Sequence, residues 1–298
     1  MKVAIHGKTL KAAEWQWVQL LVKKLQAIGA EIAVEAGFLE CCITNGVSFP
    51  HVNVFKEGQK LPYQELLLSI GGDGTLLDTI PFVEGNNSPI LCLNAGRLGF
   101  LSTAQLYDIE YILNQAFSGK TYLEERTLLE ATIIPNEEKQ SLQVPIYPFA
   151  LNEVSIMKTD SSSMIVVHAM VDGKFINSYW SDGIILATPT GSTGYSMSCG
   201  GPIMLPNTET FVLTPVSAHS LTARPLILSN NSVLEFHPES RNNNFLISMD
   251  SRSYRMEENI KIQVKKADFT IKLLRLYEDS FMKTLKNKLN WGWDYRNS

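Results

Sequence analysis

Over roughly the first 120 positions, apolar residues alternate between two textures. Val3-Ala4-Ile5, Ile32-Ala33-Val34, Leu66-Leu67-Leu68-Ser69-Ile70 and Pro89-Ile90-Leu91-Cys92-Leu93-Asn94 are short runs that read as buried strands. From Ala12 to Ile28 apolar residues recur at helical spacing (Trp17, Leu20, Leu21, Leu25, Ile28), and Gly29 follows as a C-cap. Thr75-Leu76-Leu77 opens another helix, and a third runs from about Leu106 to Phe117. Strands alternating with helices call for parallel pairing with crossover connections.

From Tyr122 the helical period gives way to strands. Leu128–Ile134, Phe149–Met157, Met164–Val171, Lys174–Tyr179, Gly183–Ala187, Val233–Phe236, Phe245–Met249, Ile260–Val264 and Thr270–Leu276 all carry strand patterning. Asp172-Gly173 between two of them predicts a tight hairpin with both residues at positive φ. Closely spaced strands imply a sandwich or barrel. Asp279–Asn290 returns to helical spacing. The pattern predicts an α/β domain over 1–121, a β-rich, sandwich-like domain over 122–275, and a tail over 276–298 that packs back on the first domain.

Composition narrows the function. The 298 residues are 45% hydrophobic and 19% charged, an ordinary globular mix. With 26 basic and 30 acidic residues the net charge is −4, which argues against nucleic acid as a partner. No apolar run approaches the ~18–20 residues needed to span a bilayer, and the N-terminus lacks a signal-peptide core. Cys41, Cys42, Cys92 and Cys199 lack zinc-ligand spacing. These features predict free thiols, a cytoplasmic location, no membrane association and no metal site built from protein ligands alone.

Three glycine-rich segments carry candidate chemistry. In the first, a strand runs into Gly71-Gly72-Asp73-Gly74-Thr75 before a helix, a layout whose backbone N–H groups suit phosphate. It is neither a Walker loop nor a full dinucleotide fingerprint. Asp73 stands out, because a carboxylate beside phosphate needs either a divalent cation or a hydroxyl proton to accept. A plain Gly-Asp-Gly turn is the competing reading. The second segment, Ser181-Asp182-Gly183 through Thr188-Pro189-Thr190-Gly191-Ser192-Thr193-Gly194-Tyr195-Ser196-Met197-Ser198, is crowded with hydroxyls that suit ribose and phosphate oxygens. The third is Asn94-Ala95-Gly96-Arg97-Leu98-Gly99-Phe100. Phe100 either stacks on a base or closes the core, and Arg97 is most simply a solvated charge. Asn152-Glu153 places an amide and a carboxylate in an otherwise apolar strand.

Taken together and in this order, these segments resemble the NAD kinases over residues 65–205. GGDG alone is shared with diacylglycerol, sphingosine and phosphofructokinase-like kinases, whereas the segment from Asp182 to Pro202 is far more specific. The resemblance implies an α/β domain plus a β-sandwich-like domain, as in the NAD kinase and diacylglycerol kinase-like superfamily. It implies a phosphotransferase acting on an alcohol: ATP, with Mg²⁺ or Mn²⁺, phosphorylates the adenosine-ribose 2′-hydroxyl of NAD. Asp73 then resembles the catalytic carboxylate, and Gly71, Gly72, Gly74 and Thr75 the phosphate loop, with Gly74 also against the dinucleotide. Asn152 and Glu153 resemble the ribose-holding pair, and Asp182 the acid at the nicotinamide end. Thr193, Gly194, Tyr195, Ser196, Met197 and Ser198 resemble the loop around adenine and ribose, and Phe100 the adenine-side aromatic. It further implies a homo-oligomer, often a tetramer, whose NAD site is shared between subunits.

The chain departs from that pattern at Gly194, where many relatives carry Ala, at Ser163 and Trp180, where basic residues are common, and at Arg252, where some carry Gln. Two other functions fit parts of the pattern. A lipid kinase would share GGDG but needs no hydroxyl-rich loop. A non-catalytic dinucleotide sensor would bind NAD without releasing ADP from ATP.

Overall fold

The computed structural model describes residues 1–135, 146–159, 164–257, 260–278 and 280–292. Ser163, Asp279 (the first residue of the predicted tail helix) and residues 293–298 of the tail lie outside them. The chain forms two compact units, Met1–Glu125 with Ile271–Ser298, and Arg126–Thr270.

In the first unit the chain runs β1 (Lys2–Gly7), α1 (Trp15–Ala27), β2 (Glu31–Glu35), α2 (Ala36–Thr44), β3 (Asn53–Phe55), β4 (Leu66–Gly71), α3 (Asp73–Leu77), α4 (Ile80–Val83), β5 (Pro89–Asn94), β6 (Ala104–Gln105) and α5 (Ile109–Phe117). β5, β4, β1, β2 and β3 lie side by side, every pair parallel. Val3, Ile5, Leu68, Ile70, Leu91 and Leu93 alternate onto one face, where Val18, Leu21 and Leu25 of α1 and Ile109 and Ile112 of α5 cover them. His6 and Ser69 face the other way in register, buried, and desolvation lowers the His6 pKa. The chain builds β2 and β3 on one side of β1, then β4 and β5 on the other. Strand order therefore reverses between β1 and β4, and their carboxyl ends open at such a switch point. Gly29 follows α1 at φ +68, as the C-cap reading requires. α2 was not foreseen from the sequence; the Glu35 side chain caps it by accepting the N–H groups of Gly37 and Phe38.

The chain continues through β7 (Thr121–Pro135), β8 (Phe149–Ala150), β9 (Glu153–Lys158), β10 (Ile165–Val171), β11 (Lys174–Ser181), β12 (Gly183–Ala187), α6 (Tyr195–Ser198), β13 (Thr210–Val216), β14 (Leu226–Ser229), β15 (Leu234–Ser240), β16 (Asn244–Met249), β17 (Arg252–Glu257), β18 (Ile260–Leu276) and α7 (Phe281–Leu289). In the second unit β14, β13, β12, β9, β16 and β17 form one antiparallel sheet, and β11, β10, β15 and the first half of β18 another. Side chains of both meet in a core that includes Val154, Ile156, Ile184, Phe245 and Ile247 from one and Val167, Phe236, Ile262 and Val264 from the other. Asp172 and Gly173 have φ of 50° and 75°, the predicted hairpin geometry. Two strands read separately from sequence, Ile260–Val264 and Thr270–Leu276, are one strand, β18. Its last residues return to the first unit and pair parallel with β5, Leu273 opposite Ile90.

Candidate functional site

The phosphate-type loop sits at the carboxyl end of β4. Gly71 is required there by proximity, since a Cβ would lie 2.2 Å from Thr75 Oγ1. Nothing stands within 4 Å of where a Cβ would be on Gly72 or Gly74, so the protein's own packing does not demand glycine at either. Thr75 is buried beneath the loop.

Asp73 is the first residue of α3, and its carboxylate gathers three consecutive backbone donors from the segment after β5. Phe100 N–H donates to Oδ2 at 2.8 Å, and Leu101 and Ser102 N–H donate to Oδ1 at 3.1 and 2.9 Å. A carboxylate offers about four lone-pair positions. Oδ1 has used both of its own, and Oδ2 keeps one. Gly99 is what lets the segment come so close, because a Cβ there would lie 1.9 Å from Asp73 Oδ1.

The segment has its own scaffold. The buried Asn94 side chain donates to the carbonyls of Arg97 (2.8 Å) and Ser102 (3.0 Å) and accepts from Gly96 N–H (2.7 Å). Phe100, 8% exposed, packs against Phe281 of α7, and the Lys288 ammonium lies 4.8 Å above its ring while bonding the Leu98 carbonyl. Its side chain thus belongs to the unit's packing, while its backbone N–H reaches Asp73. Arg97 is exposed, as the solvated reading has it. Gly99 and Asn94 were not singled out as functional from sequence; the close glycine spacing beside Phe100 was the available signal.

In the second unit a different acid does the gathering. Asp250, at positive φ in the turn between β16 and β17, accepts the N–H groups of Leu151 (2.9 Å), Asn152 (2.7 Å) and Glu153 (3.2 Å). This fixes the two predicted ribose-holding residues at the head of β9. Burial raises the Asp250 pKa, partly offset by those bonds and by Arg252. The Glu153 carboxyl group is itself pushed up to about 7, first by burial and then by Asp250, with the Tyr195 N–H acting the other way. Its Oε2 is buried with no hydrogen-bond partner in the protein. An unpaired buried acceptor is costly, and such an atom calls for a donor from outside the fold.

The hydroxyl-rich segment is stitched to the same place. Thr188 N–H donates to the Asn152 carbonyl at 2.9 Å and its hydroxyl to the Leu151 carbonyl at 2.5 Å. Gly191 must be glycine, since a Cβ would meet the Asn152 oxygen at 2.0 Å; a Cβ on Gly194 would lie 3.0 Å from Glu153 Oε2. Tyr195 presents its ring to solvent at 43% exposure, Ser198 is exposed, and Thr193 and Met197 are half-buried. Ser196 is fully buried, and its hydroxyl shares a 2.8 Å bond with that of Thr214. Asp182 pairs with Lys158 at 2.5 Å. Trp180 is exposed. Arg252, given no role from sequence, donates to the Phe149 carbonyl at 2.6 Å and lies 4.7 Å over the Tyr147 ring. All four cysteines are free. Among the described residues, no cluster of three or more His, Cys, Asp or Glu could hold a metal ion, and no helix is long and apolar enough to cross a membrane.

Comparison with known proteins agrees in sequence and in fold. Residues 60–121 match the family model of the ATP-NAD kinase N-terminal domain, and residues 151–276 that of the ATP-NAD kinase C-terminal domain. The chain is 43% identical over 298 residues to the NAD kinase of Cytophaga hutchinsonii and 38% identical over 299 residues to that of Flavobacterium johnsoniae, with all of each chain covered in both cases. Among solved structures it resembles yeast NADH kinase complexed with NADH (TM-score 0.87, 22% identity, 100% of this chain and 89% of that one). It also resembles an Archaeoglobus fulgidus NAD kinase in complex with ATP (TM-score 0.68, 23% identity, 97% and 98% covered). At these identities the solved structures speak to the fold.

Proposed function

Because the chain belongs to the ATP-NAD kinase family and phosphorylates NAD at the expense of ATP, we propose that Asp73 is its catalytic carboxylate and the adenosine-ribose 2′-hydroxyl its target. The observation that carries this reading is the state of the Asp73 side chain: three backbone donors fix it, and one lone pair on Oδ2 stays unclaimed. A sugar hydroxyl donating to that lone pair has its oxygen oriented for attack on the γ-phosphorus. The new O–P bond forms as the bond to the β-phosphate bridging oxygen breaks. ADP leaves, and the hydroxyl proton passes to Asp73 late, as a loose transition state allows.

Gly71, Gly72 and Gly74 are assigned to the ATP phosphates, with the buried Thr75 supporting the loop from beneath. The open space beside Gly72 and Gly74 supports this, since it leaves their backbone free for close approach. A divalent cation, Mg²⁺ or Mn²⁺, would be held mainly by the ATP phosphates and water, and would supply charge neutralisation there.

The second unit is assigned to the dinucleotide. Asn152 and Glu153 hold ribose hydroxyls, and the orphaned Glu153 Oε2 is the acceptor such a hydroxyl would satisfy. Tyr195 offers its exposed ring to adenine, with Thr193, Gly194, Met197 and Ser198 around it, Ser196 shaping the loop from beneath and Asp182 toward the nicotinamide end. We further propose a homo-oligomer, on the pattern of a tetramer, in which a neighbouring subunit completes the NAD site. The edge strand β14, with Leu226 and Ile227 exposed, supports an oligomer, and light-scattering mass measurement checks it. Cytoplasmic residence is proposed on the four free thiols.

The test is Asp73→Asn. It should keep the fold and NAD affinity, lower the melting temperature modestly because one backbone N–H is left facing an amide nitrogen, and lose at least about a hundredfold in kcat, the scale of a general base. Near-normal turnover would end the assignment. An NADP-specific dehydrogenase coupled to the assay reads the 2′-position directly.

A further inference from the structure

The Asp73 carboxylate is only as well placed as the three N–H groups that hold it. Those groups sit on an irregular segment, and what fixes the far end of that segment is a side chain from much later in the chain. Arg275 lies near the end of β18, two residues past Leu273, which pairs with Ile90 of β5. It is 6% exposed. Its Nη1 donates to the Leu101 carbonyl at 2.6 Å and to Thr103 Oγ1 at 3.2 Å, and its Nε donates to Glu124 Oε2 at 2.9 Å. Leu101 is thus held at both ends, its N–H on Asp73 and its C=O on Arg275.

We propose that Arg275 is a positioning residue for catalysis, acting through Leu101 on Asp73. This rests on the reading of Asp73 given above. Three observations carry it. The segment leaves the sheet at Asn94, the end of β5, and is caught again from β18, the strand paired with β5, so both anchors are rigid. The tolerance is small, because Gly99 and Asp73 Oδ1 already approach so closely that no Cβ fits between them. A cationic donor on the Leu101 carbonyl also polarises that peptide unit and strengthens hydrogen bonds made by the segment. Arg275 itself is buried away from solvent, so it acts at one remove. Glu124 holds the guanidinium plane, which lets one side chain serve two directions; a lysine ammonium has no such fork.

The experiment measures kcat and both KM values for Arg275→Gln, Arg275→Lys and Glu124→Gln in the full-length enzyme, normalised to NAD-binding sites counted by calorimetry. Arg275→Gln should lose about tenfold or more in kcat with both KM values within about twofold of wild type, the mark of an interaction that matters in the transition state. Arg275→Lys should recover part of that loss. In single turnover, adding Arg275→Gln to Asp73→Asn should cost nothing further, since the group it positions is already gone. Equal losses on the two backgrounds, or a raised KM at normal kcat, would overturn the proposal as a case of mere structural support. If Arg275→Gln does not fold, Glu124→Gln decides the matter: a several-fold loss of kcat at unchanged KM sustains the proposal, and wild-type kcat overturns it. The two readings fail separately. Full turnover by Asp73→Asn removes the premise, whereas a dead Asp73→Asn beside a normal Arg275→Gln removes only Arg275.

Discussion

Gly99 and Asp73 share a space that admits only one side chain. A Cβ on Gly99 would stand 1.9 Å from Asp73 Oδ1 and 2.6 Å from its carboxyl carbon. The glycine is therefore part of how the acid is aimed, although it has no functional group. Gly99→Ala should push the carboxylate off its three donors and cut kcat by about a hundredfold, with NAD binding intact. Gly96→Ala is the control, since its nearest neighbour, Asn94 Oδ1, would be 3.9 Å away, and it should stay within about threefold of wild type.

The raised Glu153 pKa predicts a pH response near neutrality. Its folded pKa of about 7 lies above the ordinary 4.5, so the folded state binds this proton more tightly than the unfolded chain does. The associated stability, about 3 kcal/mol, is fully present below about pH 4.5 and is lost as pH rises through about 7. In the proposed ribose-holding role, a hydroxyl donates more strongly to the carboxylate than to the neutral acid, so NAD affinity should run the other way, strengthening from pH 6 to a plateau above about 7. Calorimetric titration of NAD across that range, repeated on Glu153→Gln, checks both slopes. The variant should show neither.

Asp250→Asn separates two effects of one acid. Removing its charge should lower the pH midpoint of NAD binding, because Asp250 is the second cause of the raised Glu153 pKa. An amide has one accepting oxygen for three N–H groups, so a buried donor is stranded at a cost of about 1–3 kcal/mol. Chemical denaturation reads the loss, and the binding midpoint reads the charge.

The two glycines of the hydroxyl-rich loop should respond differently. Gly191→Ala drives a methyl into the Asn152 carbonyl at 2.0 Å, where backbone must move, and should abolish NAD binding. Gly194→Ala meets Glu153 Oε2 at 3.0 Å, the end of a side chain that can shift, and should keep activity within about fivefold.

Much of the architecture was legible because it is written in short-range pattern. The unbroken run Leu66–Ile70 is a buried parallel strand, and Asp172-Gly173 turns as its residue types demand. The Gly71–Thr75 loop sits where a strand hands over to a helix. What the sequence concealed is long-range. Thr210–Val216 and Leu226–Ser229 lack the alternation that marks a half-buried strand, the first because it is buried on both faces and the second because it is an exposed edge. That Phe100 contributes a backbone donor to Asp73 could not be read from an aromatic residue type. Arg252 and Arg275 work by reaching carbonyls of Phe149 and Leu101, and no local motif announces a bond to a peptide oxygen more than a hundred residues away.

The two units use the same device twice. Asp73 collects the amides of residues 100–102, and Asp250 those of 151–153, across separations of 27–29 and 97–99 positions. In each case three successive peptide groups are threaded onto one anion, as beads on a clasp. Anyone transplanting either segment into another scaffold would carry over its letters but not its shape. The graft would need its distant acid to travel with it, and a library that varies these loops while holding both aspartates constant should be richer in working enzymes than one that does the reverse.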